Sequence, residues 1–141
     1  MKNFFLMLLL GATSFAAAPA LAPAAEEPVI ELSLMDLMSI DYTPGKRLPR
    51  WVRALDGKQV RLEGYIALGT PEGEEKFELL WDSCGCGQSN VHHFVEVSLT
   101  EETTSFTPDL ISVEGTFSVG EIREDGFVVS LFRLETKAIE K

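Results

Sequence analysis

The chain has 141 residues, with Lys and Arg totalling 12 against 22 Asp and Glu, and a formal net charge of −10. That length holds one modest hydrophobic core and excludes a large multi-domain enzyme, while 45% apolar and 24% charged residues exclude wholesale disorder. The acid excess repels phosphate backbones, so neither a nucleic acid nor an anionic membrane is the expected partner, whereas cationic partners and metal ions stay open.

Residues 1–25 read as a secretory signal. Lys2 supplies the positive start, Phe4 to Leu10 with Gly11 to Ala18 the apolar stretch, and Ala18-Pro19-Ala20 and Ala22-Pro23-Ala24 small-residue sites for cleavage after Ala20 or Ala24. Thr13, Ser14 and Pro19 interrupt the apolar run, which falls short of the roughly 20 residues of a membrane span. No cysteine lies near the cleavage sites, so a lipid anchor is not expected. The expected mature protein is acidic, periplasmic or secreted, and not anchored to the membrane.

Residues 26–47 read as a linker and short helix. Ser33, with Asp36 three residues on, resembles a capping box that opens a helix of about two turns over Leu34, Met35, Leu37 and Met38. Apolar residues at this spacing form a core-facing stripe more readily than a copper site. After the break at Pro44-Gly45, Pro49 fits the first position of a second short helix carrying Trp51, Val52 and Leu55, which Asp56-Gly57 ends.

From there the period changes to two, and residues 48–141 form the predicted β domain. Val60, Leu62, Gly64, Ile66 and Leu68 alternate with Arg61, Glu63, Tyr65 and Ala67 in the pattern of a half-buried strand. Further strands are expected over Lys76 to Asp82, Val91 to Leu99, Leu110 to Val119 and Phe127 to Glu135, the last after an Asp125-Gly126 turn. The fold class is therefore mainly β. Five strands with apolar faces favour a small five-stranded OB-like barrel preceded by two short helices, with a small β-sandwich as the alternative. Gly64 and Gly115 are expected where tightly coiled strands must bend. Trp51, Tyr65 and Trp81 suit a ligand groove, but are assigned to the core.

Both cysteines and both histidines fall between the second and third predicted strands, in Cys84-Gly85-Cys86 and His92-His93. Thiolates of Cys84 and Cys86 with the imidazole of His92 make a borderline-soft set for Zn or Cu, which Asp82 or Glu96 would complete. If the third strand begins at Val91, His92 faces outward with Phe94 and Glu96, while His93 packs with Val95 and Val97. The same cysteines could instead close a strained, easily reduced disulfide in an oxidising compartment, or serve as a local staple. No glycine-rich nucleotide loop or serine-nucleophile elbow is present. The pairs Glu74-Glu75 and Glu101-Glu102 fall in turns, as solvated charge does.

The stretch from Leu48 to Leu134 resembles the bacterial family called domain of unknown function 3299. The resemblance rests on Leu55-Asp56-Gly57-Lys58-Gln59-Val60-Arg61-Leu62-Glu63-Gly64-Tyr65, on Phe77-Glu78-Leu79-Leu80, on the Cys84/Cys86 stretch with Asn90, and on Val95-Glu96-Val97 and Val113-Glu114-Gly115-Thr116-Phe117. It implies a small exported β protein, often a neighbour of export or metal-homeostasis systems, with no established reaction. The expected function is that of a non-enzymatic binding or accessory protein with an exported or inner-membrane protein partner. A thiol-disulfide redox protein and a purely structural partner-binding domain are the alternatives.

Overall fold

The computed structural model describes residues 27–84 and 90–140. The expected signal sequence and its cleavage sites, together with Cys86, lie outside them. The described chain is mainly β: β1 (Ile30–Glu31), α1 (Leu34–Met38), α2 (Arg50–Arg53), β2 (Gln59–Ile66), β3 (Lys76–Leu80), β4 (Phe94–Leu99), β5 (Ile111–Glu124) and β6 (Phe127–Thr136). The strands make one mixed sheet in the order β1-β2-β3-β4-β6-β5, and β5 also pairs with β2, so the sheet bends into a partial ring. Two pairings are parallel, β1 with β2 and β4 with β6; the others are antiparallel.

The alternation read from the sequence places the core. Val60, Leu62 and Ile66 of β2, Phe77 and Leu79 of β3, Val95 and Val97 of β4, and Val113 and Phe117 of β5 turn inward and are buried. Phe117 stacks on Phe132 of β6, their ring centroids 5.9 Å apart. Leu34 and Leu37 of α1 and Val52 of α2 join the same core. The helices are shorter than expected. Ser33 does cap α1, its Oγ accepting a hydrogen bond from the Met35 N–H at 3.2 Å. Pro49 sits one position outside α2, as its N-cap.

The two glycines stand where the ring changes partners. β2 pairs with β5 from Gln59 to Gly64, then with β3 at Tyr65 and Ile66. At the switch, a Cβ on Gly64 would lie 2.6 Å from the Leu80 carbonyl oxygen and 2.8 Å from Leu34 Cδ1. β5 pairs with β2 up to Thr116 and with β6 from Thr116 onward. Beside that switch, a Cβ on Gly115 would lie 2.0 Å from the Glu135 carbonyl oxygen. At each glycine the nearest contact is with main chain, which cannot swing aside as a side-chain tip can.

The structure corrects several expectations. A sixth strand, β1, lies in the stretch expected to be linker, and its Glu31 is held by a 2.9 Å ion pair to Arg61, which also pairs with Glu114 of β5. Two residues carry no period, so nothing in the sequence marks β1. β4 starts at Phe94 and not Val91, because His93 N–H donates to the Asn90 carbonyl at 2.9 Å and turns the chain before the ladder begins. β5 continues to Glu124, forming with β6 a ribbon that turns through Asp125 and Gly126, both at positive φ. Trp51 and Trp81 are 45% and 46% exposed and Tyr65 is half-buried, so the three aromatics do not belong to the core.

Because the neighbour at Gly115 is main chain at the shorter distance, Gly115→Ala is expected to cost about 3 kcal/mol or more and Gly64→Ala about 1 to 3 kcal/mol. Chemical denaturation of both variants checks the size and the order; equal and negligible losses would contradict the close approach.

Candidate functional site

The β3–β4 connection spans residues 81–93, and its ends are pinned. Leu80 and Phe94 are register partners, and both pack with Ala67 in a small buried cluster separate from the main core. Cys84 stands exposed near the start of the connection and is disulfide-bonded. The chain's other cysteine is Cys86, outside the described residues. A disulfide sulfur has no proton to donate, so the 3.2 Å approach of Cys84 Sγ to Asp82 Oδ1 is a sulfur–carboxylate contact. After reduction the same carboxylate can accept a hydrogen bond from the thiol.

The histidines sit in the turn before β4, which removes the basis for placing them on opposite faces of a strand. Their rings meet edge to face with centroids 4.2 Å apart, and His92 also lies 5.6 Å from the Tyr42 ring. His92 Nδ1 is buried with no hydrogen-bond partner among the described residues. Burial, and then the neighbouring His93, lower its pKa from the ordinary 6.5, so the neutral ring is favoured. His93 is half-buried and has Nδ1 3.5 Å from Asn90 Nδ2; it does not join Val95 and Val97 in the core.

Behind His92, the loop between the helices is clamped to the β5–β6 ribbon. Tyr42 donates its hydroxyl proton to Glu121 Oε1 at 3.0 Å, the Gly45 N–H donates to the same oxygen at 2.6 Å, and Arg123 binds Oε2. The Tyr42 hydroxyl is pushed up to about 12, by burial first and then by its bond to Glu121. The Gly45 N–H, with Arg123 and Tyr42 adding to it, holds the Glu121 carboxyl below its ordinary 4.5.

Of the expected metal ligands, Asp82 lies against Cys84, and Cys86 falls outside the described residues. Glu96 lies within β4, in register with Glu78 on one side and Arg133 of β6 on the other. Among the described residues, no group of three His, Cys, Asp or Glu side chains could hold a metal ion, so Asp82, Cys84, His92 and Glu96 do not converge there.

What the sequence reading passed over is a groove of about 570 Å³ beside the same connection. β1 and β3 both pair with the same edge of β2, and both chains leave it near Glu63, β1 toward α1 and β3 toward Trp81. The gap is lined by Met35, Asp36, Glu63, Tyr65, Trp81 and Leu110. Met35, Trp81 and Leu110 are exposed, an apolar surface beside a concavity. Two of the three aromatics first considered for a groove are therefore in one. The signal for Tyr65 was its outward register on β2; Trp81 has the parity of the buried Phe77 and Leu79 and carried none, standing exposed just past the end of β3.

Neither a family model nor a curated protein sequence matches the chain. Its resemblance to the domain of unknown function 3299 extends to the fold. The crystal structure of a DUF3299 family protein from Pseudomonas aeruginosa is similar, with a TM-score of 0.52 and 18% sequence identity, over 79% of this chain and 95% of that one.

The Glu121 clamp gives stability a pH dependence. A carboxylate whose pKa is lowered by folding contributes stability that is present above its unfolded value near 4.5 and is lost as pH falls through the folded value. Glu121→Gln is expected to melt a few degrees below the parent at neutral pH, and the gap should close on acidification to about pH 3. Melting curves of both proteins across that range check it; a gap independent of pH would assign the loss to packing.

Proposed function

We propose that this chain is a small exported protein, periplasmic or secreted, that works as a binding or accessory protein on an OB-like barrel. The strand pairing supports the barrel. Counted from β2, the five longer strands pair in the order first, second, third, fifth, fourth and back to first, with the third and fifth parallel. Such closure leaves few free edges. Export is supported by the composition of residues 1–25 and by a disulfide at Cys84, a bond that persists in oxidising compartments. Among the described residues no helix is long and apolar enough to cross a membrane.

The observation that carries the binding reading is the groove between β1 and β3, where Trp81 and Leu110 stand exposed next to Tyr65 and the wall runs straight into the Cys84 connection. Large apolar side chains left in water along a concave strip mark a partner or ligand site. The acidic charge favours an exported or inner-membrane protein partner over any nucleic acid.

The connection adds a ligand chemistry of its own. In the reduced state Cys84, Cys86 and His92, with Asp82 or Glu96, offer a set for Zn or Cu, and coordination would compete with the disulfide. The disulfide at Cys84 favours a second reading, a thiol-disulfide redox protein that cycles the Cys84-Gly85-Cys86 pair against a partner.

Thiol titration and elemental analysis of the protein from its own compartment separate these readings. The metal reading expects free thiols and stoichiometric Zn or Cu, with affinity in the reduced protein falling as pH drops and falling at least about tenfold in His92→Ala. The redox reading expects no metal and a disulfide potential well above roughly −300 mV. A metal-free disulfide at or below that potential leaves the cysteines as a staple and the groove as the working surface.

A further inference from the structure

We propose that the groove is a docking strip for an extended basic segment of a partner protein, which pairs its main chain with the open edge of β2 at Glu63. This rests on the binding reading above and names the chemistry of the partner.

The open edge follows from the ladder. Successive strand residues turn their N–H and C=O to opposite sides, so residues two apart share a side. The Arg61 carbonyl accepts from Leu32 N–H at 3.0 Å on the β1 side of β2, and Ala67 N–H donates to the Glu78 carbonyl at 2.9 Å on the β3 side, which is the same edge. Glu63, two residues after Arg61 and four before Ala67, therefore turns its main-chain groups to that edge as well. There β1 has already ended at Glu31, and β3 reaches only to the Tyr65–Leu80 pair. On the other side, Ser112 of β5 is opposite Glu63 but exchanges both of its main-chain bonds with Glu140, at 3.2 and 2.9 Å. Outside the strand ladders none of the hydrogen bonds among the described residues ends on the Glu63 main chain, and within the ladder its one register partner is Ser112, whose main-chain groups face Glu140. A strand edge with one free N–H and one free C=O, set in a groove, is what a short extended peptide pairs with.

Charge selects the occupant. Asp36 and Glu63 place carboxylates on the groove wall, and among the described residues neither has an ion-pair partner. The one guanidinium of the lining, Arg61, is already taken by Glu31 and Glu114. The cations must come from outside. Met35, Tyr65, Trp81 and Leu110 supply apolar contact between these charges. An extended segment alternating Lys or Arg with apolar residues meets both, since its side chains alternate with period two. A second copy of this chain carries the same net charge of −10 and is opposed by it.

The test uses the full mature protein carrying Trp51→Phe, so that Trp81 is the sole tryptophan emitter, and a fluorescein-labelled heptapeptide of alternating lysine and leucine with blocked ends. Companion peptides carry serine or glutamate in place of lysine, or N-methyl groups on the main-chain amides. The lysine peptide is expected to bind with a change in Trp81 emission, weakening at least about tenfold with N-methylation, in Glu63→Lys and in Asp36→Lys, and with added salt. N-methylation leaves the protein untouched, so a misfolded variant cannot imitate that result. Equal binding of the serine or glutamate peptide would overturn the basic partner while keeping the groove as a binding site. Binding insensitive to N-methylation would overturn the strand pairing. Self-association abolished by Glu63→Lys would assign the groove to a second copy and overturn the proposal. If no peptide binds and Trp81 emission does not respond to any of them, both this inference and the groove-based binding reading fall.

Discussion

A strand has two edges, and β2 must serve three neighbours with them. One edge goes to β5 over six residues; the other is divided between β1 and β3. The partial ring, the groove and the open main chain at Glu63 all follow from that division. It is possible only because Gly64 lets the Leu80 carbonyl and the Leu34 side chain come closer than any Cβ would allow. A side chain at that point would push β3 away, and the pinned start of the 81–93 connection would move with it.

The connection and the groove are consequently parts of one region. Trp81 directly follows β3, lines the groove and precedes Asp82 and Cys84 by one and three residues. A change in the oxidation state of Cys84 acts on a segment whose first residue is a wall of the groove, while the paired Leu80 and Phe94 keep the rest of the ladder in place. The far side is set separately. His92 rests on Tyr42, and Tyr42 is fixed through Glu121 to the β5–β6 ribbon, so the imidazole is positioned by elements distant in sequence.

Much of the fold was legible, because period two survives wherever one face is buried: Val60, Leu62 and Ile66, or Ile111, Val113 and Phe117, state their own register. Both glycines stood out in the sequence as strand bends, whereas their close main-chain contacts came from the structure. β1 was not, since two residues cannot carry a period. The start of β4 was misplaced because the Val91-His92-His93-Phe94 run looks like strand, while a single bond from His93 to Asn90 makes it a turn. The assignment of His92 and His93 to opposite faces failed with it, because alternation was extended to residues that are not in the ladder. Trp51 and Trp81 were assigned to the core because aromatics usually build it; Trp81 even shares the parity of the buried Phe77 and Leu79, but β3 ends at Leu80 and leaves it exposed.

The parallel contact between β4 and β6 governs the order in which the molecule can be completed. Four of the longer strands precede β6 in the chain, and neither β4 nor the outer half of β5 has its final neighbour until β6 is in place. A chain emerging from its N-terminal end therefore holds an unfinished sheet with two open edges until nearly all of it is available. Pairing between segments so distant is slow, since loop closure must precede the reward. The most vulnerable interval in the life of this protein is thus the one before its last strand docks, when its open edges can join those of neighbouring chains.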